Sequence, residues 1–252
     1  MSDSRLVIYT ALFGAYDQLQ DPKERFENCD FVCFTDQGDL KSEIWKIIYI
    51  QPDHESPLLM NRKIKILPHL YVKDWQYSLY VDSNIFLKKN PYYLVDKYLK
   101  RSYLKFFVSK HYLRDCIYRE AAQCIKLGKG NPSDIQLQLE TYQKAGFPIK
   151  WGLSENGILL REHGSKNVIK LSEDWWEQFL TYSKRDQLSL PFALWKNGYR
   201  YSFLEESCRQ YFGIFSLGLH SAENKTLHWT RKIWFKYVYS KRNPISRFLL
   251  NR

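Results

Sequence analysis

The chain has 252 residues, 44% of them hydrophobic and 17% aromatic, which is enough apolar mass for one large core and too much for a disordered chain. Its formal net charge of +11 is uneven: from Trp229 onward there are seven Lys/Arg and no Asp/Glu, whereas residues 1–228 carry 31 basic residues against 27 acidic ones. No stretch approaches the ~20 consecutive apolar residues that span a bilayer, and the opening MSDSRLVIYTALFG lacks a basic leader followed by an apolar core, so a cytoplasmic protein is expected.

RLVIYTALF, ending at Gly14, predicts a first strand followed by the loop GAYDQLQDP. DFVCFTD and IWKIIYI predict further strands, and PLLMNRKIKILPHLY a helix interrupted near Pro68. YSLYVD and NIFLK read as short strands, PYYLVDKYLK as a helix, and LKFFVSK as another strand. In the second half, RDCIYREAAQCIKLGKG has helical spacing up to Gly128, and PSDIQLQLETYQKAG carries start and stop signals for one helix. ENGILLREH predicts a strand, and LSEDWWEQFLTYSKRDQLSLPFALWKNG two helical pieces with Ser172 as a cap. Strands separated by helices point to an α/β fold with a mostly parallel sheet. Residues 1–228 are expected to form this domain and residues 229–252 a basic, aromatic tail.

The tail interleaves Trp229, Trp234, Phe235, Tyr237 and Tyr239 with Arg231, Lys232, Lys236, Lys241 and Arg242. That mixture suits an anionic membrane surface, and equally an element packing its rings on the body with its charges in solvent. Nucleic acid would be attracted to the same charges, but no nucleic-acid module is recognisable and none is expected as a partner. The five cysteines are odd in number and form no C-x-x-C pair, so reduced thiols are expected.

The stretch YSLYVDSNIFLKKNP interrupts two apolar runs with Asp82, Ser83 and Asn84. Asp-Ser-Asn is good turn chemistry. At the carboxyl end of a strand in an open α/β sheet it is also placed to meet a ligand, and the oxygens of Asp82 and Asn84 suit a hard divalent cation. Thr35 and Asp36 end an earlier strand, where they would hydrogen-bond a base or ribose or else cap the next loop. Arg62 and Lys65 are three apart on a helix, so both would face one anion such as a diphosphate, or simply solvent.

VIYTALFGAYD, CFTD, NRKIKILPH, YSLYVDSNIFLK, HYLRDCIYREA, ENGILLREH and RDQLSLPFALWK, in this order from about Leu6 to Lys196, resemble a glycosyltransferase family long catalogued as a domain of unknown function. Its members include bacterial surface-polysaccharide genes and plant pectin- or mucilage-related proteins. More distantly the chain is similar to the retaining enzymes of glycosyltransferase family eight, which have the GT-A fold. The resemblance implies a single GT-A-like domain and a nucleotide-sugar donor, with UDP favoured. It implies a divalent metal, Mn2+ or Mg2+, on Asp82 and Asn84 beside Ser83, where Asn84 replaces the usual second carboxylate. Tyr9, Thr10, Ala11, Thr35 and Asp36 match the nucleoside contacts, and Asp186-Gln187 an Asp-Gln pair beside the reacting sugar. A third metal ligand corresponds to His220, followed by Lys225, with His228 as the alternative.

Other residues have two readings each. Asp186 also suits a helix N-cap. His111, like His163, is either a satisfied strand-end residue or, for His111 through the motif match, part of the donor site. Glu155 and Asn156 either close a turn or face sugar hydroxyls, and Arg161 is expected to be structural.

Such an enzyme would move a sugar to a glycan or lipid-linked acceptor in surface polysaccharide or lipopolysaccharide synthesis, on the inner face of the cell membrane. Its leaving diphosphate would be stabilised by the cation with Arg62 and Lys65. Asp186 would activate the acceptor if the reaction inverts; the likeness to family eight favours retention. A non-catalytic nucleotide-sugar or glycan-binding relative is the alternative.

Overall fold

The computed structural model describes residues 5–51, 55–210 and 212–218. The expected boundary at residue 228, the tail, His220, Lys225 and His228 lie outside the described residues.

Nine strands are described: β1 (Leu6–Leu12), β2 (Cys29–Thr35), β3 (Lys46–Tyr49), β4 (Tyr77–Val81), β5 (Ile85–Leu87), β6 (Phe106–Lys110), β7 (Ser154–Arg161), β8 (Phe203–Leu204) and β9 (Phe215–Leu217). Seven of them form one sheet in the order β3-β2-β1-β4-β7-β6-β8, and β5 and β9 form a two-stranded sheet. Every pairing in the large sheet is parallel except those of β7, which runs antiparallel to both β4 and β6.

The helices are α1 (Pro57–Ile66), α2 (Pro68–Tyr71), α3 (Tyr93–Lys97), α4 (Ile117–Lys126), α5 (Pro132–Lys144), α6 (Lys166–Thr181) and α7 (Asp186–Lys196). Ser56 caps α1 by accepting from the Leu59 N–H, with Pro57 at the first position, and Leu67 ends the helix before Pro68 opens the next. Asn131 and Pro132 start α5 in the same way. Ser172, expected as a cap, lies buried inside α6; the cap position belongs to Ser165, because the helix begins about two turns earlier than the apolar run suggested. The expected helix near Tyr93 is only five residues followed by a 3-10 turn.

All seven residues of β1 are buried, which follows from its place inside a sheet covered on both faces. Leu6, Ile8 and Leu12 pack with Phe31, Leu79 and Leu160 on one face. Val7, Tyr9 and Ala11 pack on the other against Met60 and Ile64 of α1 and Trp175 and Phe179 of α6. Side chains of this size stabilise by about 1.5–3 kcal/mol each when fully buried. A third apolar cluster joins α4, α5 and α7, where the rings of Tyr142 and Phe192 stack at 3.8 Å. The link from β1 to its parallel neighbour β2 contains no helix, unlike the helix-separated strands expected.

Because β1, β2, β4 and β6 are parallel, their carboxyl ends meet along one edge, and the antiparallel β7 brings its amino end there too. Opposite Val108 and Ser109 of β6, the register on β7 jumps from Leu159 to Glu155. Such a bulge re-aims backbone at a rim. Here it carries Asn156 and Gly157 toward β4, where the Gly157 carbonyl accepts from the Asp82 N–H at 2.9 Å.

Candidate active site

Asp82 stands at the end of β4, in the loop between β4 and β5. Its Oδ1 accepts from the Tyr80 hydroxyl at 2.9 Å and from Lys65 Nζ at 3.3 Å. Its Oδ2 lies against Gly157, where a Cβ would stand only 3.0 Å away, so the glycine leaves the space the carboxylate occupies. Ser83 donates to Asp17 Oδ2 at 3.0 Å. Asn84 donates through Nδ2 to the Gly218 carbonyl at 3.3 Å, while its own carbonyl accepts from the Gly218 N–H at 2.7 Å. The triplet therefore does turn a corner, and its acidic side chain is also tied into a charge cluster.

Lys65 is the centre of that cluster. It is only 2% exposed, and its ammonium reaches Asp186 Oδ2 at 2.8 Å as well as Asp82. Arg62, one helical turn earlier on the same face of α1, comes within 3.7 Å of the same Asp186 oxygen and also donates to Asn61 Oδ1. The helical spacing does make Arg62 and Lys65 face one anion, and among the described residues that anion is Asp186. Burial would raise the Asp186 carboxyl, but Lys65, Arg62 and Arg185 together overcome it and hold the group well below the usual carboxylate range. Asp186 is the first residue of α7, with Arg185 at the cap position. Gln187 beside it donates to the Ser154 carbonyl at 3.0 Å, pinning α7 to the start of β7.

At the ends of β1 and β2, the Asp36 carboxylate accepts from the Gly14 N–H, at 2.9 and 3.1 Å to its two oxygens, and Thr35 Oγ1 accepts from the Gln37 N–H. Gly14 has φ +71°, the left-handed backbone that lets its N–H turn back to Asp36. Thr10 is buried with its hydroxyl unpartnered among the described residues and lines a cleft with Asp82 and Ser83. The Ala11 carbonyl accepts from Asn61 Nδ2 at 2.6 Å. Tyr9 is fully buried below this edge, its hydroxyl shared with Arg161 and the Lys65 carbonyl.

Toward β6 and β7, Glu155 pairs with Arg209 at 2.7 Å, and the Arg209 guanidinium lies 3.9 Å over the Tyr112 ring. Asn156 is buried; its Oδ1 accepts from Ser154 Oγ at 2.6 Å, and its Nδ2 has no partner among the described residues. His111 is turned inward. Its Nδ1 accepts from the N–H groups of Leu113 and Arg114, and its Nε2 lies 3.1 Å from Arg114 Nη2. Burial, then Arg114 and Arg209, push it down to about 3, so the ring is neutral.

The topology thus brings Thr10, Asp36, Arg62, Asp82, Asn156 and Gln187 to one edge of the sheet. Tyr9 lies beneath that edge and His111 in its supporting loop. Sequence reasoning did not single out Asp17, although it stands in the same GAYD segment as Gly14, nor Tyr80 or Arg209, whose partners are distant in the chain.

Asp82 and Asn84 supply hard oxygen donors, so they fit a divalent cation in kind, but Lys65 already offsets the Asp82 charge. Among the described residues no group of three or more His, Cys, Asp or Glu is placed to hold a metal. No described helix is long and apolar enough to cross a membrane.

The family model of the TOD1/MUCI70 glycosyltransferase-like domain matches residues 1–208. The chain is 26% identical over 211 residues to the "Probable hexosyltransferase MUCI70" of Arabidopsis thaliana, covering 73% of this chain and 36% of that protein. It is 24% identical over 226 residues to the "Alkaline ceramidase TOD1" of Arabidopsis thaliana, covering 77% and 49%. It therefore spans less than half the length of these curated relatives. Among solved structures, the WbbM bifunctional glycosyltransferase in its apo form shares the fold with a TM-score of 0.51 at 12% identity, covering 96% of this chain and 45% of that one. Apo mouse xyloside xylosyltransferase 1 aligns with a TM-score of 0.47 at 10% identity, covering 92% of each chain. The architecture is the GT-A-like α/β fold.

Proposed function

The chain belongs to the TOD1/MUCI70 glycosyltransferase-like family, and from that premise we propose that it transfers a hexosyl group from a nucleotide sugar, with a UDP-sugar favoured, to a glycan or lipid-linked acceptor in surface polysaccharide or lipopolysaccharide synthesis. The observation that carries this reading is the Asp82–Lys65–Asp186 chain at the carboxyl edge of the sheet, in which Lys65 and Asp186 are buried and Asp82 is half-buried, with Arg62 beside it. Open α/β sheets bind ligands at that edge.

In this reading Asp36, Thr35 and Thr10 face the nucleoside, and Arg62 meets the diphosphate. Lys65 stands behind Arg62 and fixes the two carboxylates. Asp82 and Asn84, with His220 from outside the described residues, would hold Mn2+ or Mg2+, which when bound would neutralise charge on the diphosphate. The anomeric C–O bond breaks as negative charge gathers on the diphosphate, and the Arg62 guanidinium offsets part of it.

Asp186 is buried and engaged by Lys65 and Arg62, which it orients, and that placement supports retention over inversion through Asp186. Glu155 and Asn156 face the sugar hydroxyls, and Gln187 holds their strand.

The test is thermal stabilisation of the purified chain by UDP-, GDP-, CMP- and dTDP-sugars, with and without Mn2+ or Mg2+. A donor at about 100 times its Kd should stabilise the fold by about 2.7 kcal/mol. Asp82→Ala should abolish that shift while melting as a folded protein. An undiminished shift in Asp82→Ala would remove Asp82 from the site. A shift with no sugar transfer to any acceptor would favour the non-catalytic relative. The likeness to a protein named as an alkaline ceramidase supports one further arm, in which the chain is offered ceramide and release of the fatty acid is followed.

A further inference from the structure

Tyr80 lies two residues before Asp82, so the alternation of β4 puts both side chains on the same side of the strand. It is 1% exposed, and its ring packs edge-on to that of Tyr9, 5.3 Å away between centres, whose own hydroxyl is gripped by Arg161. The Lys65 ammonium lies 5.1 Å from the Tyr80 ring centre. A ring packed in this way has no room to turn, and from its fixed place the hydroxyl donates to Asp82 Oδ1 at 2.9 Å.

Asp82 is constrained from the other side as well. Its N–H donates to the Gly157 carbonyl at 2.9 Å, and its own carbonyl accepts from the Ile85 N–H at 2.8 Å. Oδ1 is engaged by Tyr80 and Lys65, whereas Oδ2 has no hydrogen-bond partner among the described residues, on a side chain that is 35% exposed. Oδ2 lies where a side chain at position 157 would begin: a Cβ there would stand 3.0 Å from it and 2.9 Å from Ile85 Cδ1. The φ of Gly157 is outside the left-handed region, so its backbone does not call for glycine, and the missing side chain leaves that oxygen its room.

From this geometry we propose that Tyr80 is a positioning residue for the donor site: it holds Asp82 Oδ1 so that the carboxylate meets its ligand through Oδ2 alone, in space that Gly157 leaves open. The inference rests on the proposed function for the nature of that ligand, a nucleoside diphosphate with its cation. A carboxylate that presents one fixed oxygen loses little rotamer freedom on binding. Its second oxygen, engaged by Lys65 and Tyr80, offers no competing contact.

The test compares wild type, Tyr80→Phe, Gly157→Ala and the double variant by calorimetric titration with UDP and Mn2+ and by thermal melting. Tyr80→Phe keeps the buried ring and removes one hydrogen bond to a charged group, so it should melt as wild type does and bind about tenfold more weakly. Gly157→Ala removes no polar group, yet should also weaken binding, because its Cβ would displace Oδ2. Two changes that act through one carboxylate are not independent, so the double variant should lose little more than the weaker single variant.

Unchanged affinity in Tyr80→Phe overturns the proposal. So does a loss of affinity matched by a lowered melting point, which would make Tyr80 a packing residue only, and so do losses that multiply in the double variant. If wild type binds none of UDP, GDP, CMP or dTDP, the donor reading fails instead, and crystal structures of wild type and Tyr80→Phe without nucleotide decide the role of Tyr80. A carboxylate turned from its wild-type rotamer upholds it, and one left in place overturns it.

Discussion

Lys65 and Arg161 are both buried, basic, and on the same face of the sheet, yet the protein holds them in opposite ways. Lys65 meets two carboxylates, Asp82 and Asp186. Arg161, fully buried at the far end of β7, has no carboxylate among its described partners. Its Nη2 donates to the Tyr9 hydroxyl and to the Lys65 carbonyl, and its guanidinium lies 6.0 Å from the ring centres of Tyr9 and Phe106. One charge is balanced by charge, the other by dipoles and ring faces. The difference separates a site from its support: the Lys65 pairs end at the half-exposed Asp82 on the open edge, whereas Arg161 clamps the end of α1 that carries Lys65.

The strongest way to break the comparison is to remove the balanced cation. Lys65→Met would leave Asp186 buried with Arg62 only at 3.7 Å, and loss of one partner of a buried pair costs about 3–5 kcal/mol, to be read from urea unfolding. A loss below about 1 kcal/mol would show that Lys65 is not the centre of the cluster.

The pH profile of the same variant sharpens the point. The folded Asp186 carboxyl lies below its ordinary value, so its contribution is present above the unfolded pKa of about 3.9 and is lost as pH falls through the folded value. Without Lys65 the folded value rises toward or past the unfolded one, so the loss of stability below about pH 3.9 should shrink or reverse. Arg161→Met should leave that loss as it is.

His111 extends the comparison to a group kept neutral by its surroundings. Between its ordinary pKa of about 6.5 and its folded value of about 3, the unfolded chain binds a proton that the native chain does not, so stability falls as pH falls through this window. From pH 6.5 to 4 the loss should be about 3 kcal/mol. His111→Asn keeps an acceptor for the Leu113 and Arg114 N–H groups and should flatten that part of the curve, as denaturant melts at several pH values would show.

The smallest effect is expected at the support. Arg161→Met removes a desolvated charge along with the donor to two neutral acceptors, and the change should stay within about 1.5 kcal/mol. A cost near that of Lys65→Met would mean that the clamp on the Lys65 carbonyl matters as much as the ion pairs.

Much of this could be read in the sequence because it is local. The strand ends at Asp36 and Asp82 and the shared face of Arg62 and Lys65 depend on neighbours a few residues away. What Lys65 faces does not: Asp82 is 17 positions on and Asp186 lies on another helix, so spacing predicted an anion without naming it. The inward turn of His111 depends on backbone N–H groups that no side-chain pattern reveals. Strands β8 and β9, of two and three residues, are too short for periodicity to register. The antiparallel course of β7 is equally silent in a run that only reads as apolar.

That course of β7 has a consequence for how the chain is made. β4 and β6 are consecutive members of the large sheet in sequence, yet they do not touch; β7 lies between them. Until residues 154–161 have been synthesised, both strands present open hydrogen-bonding edges, and apolar side chains such as Leu79, Val81, Phe106 and Val108 lack their inner neighbour. A nascent chain that stops short of Arg161 is therefore a half-sheet with two templates for mispairing, and the hazard to this protein is concentrated during synthesis rather than in the finished fold.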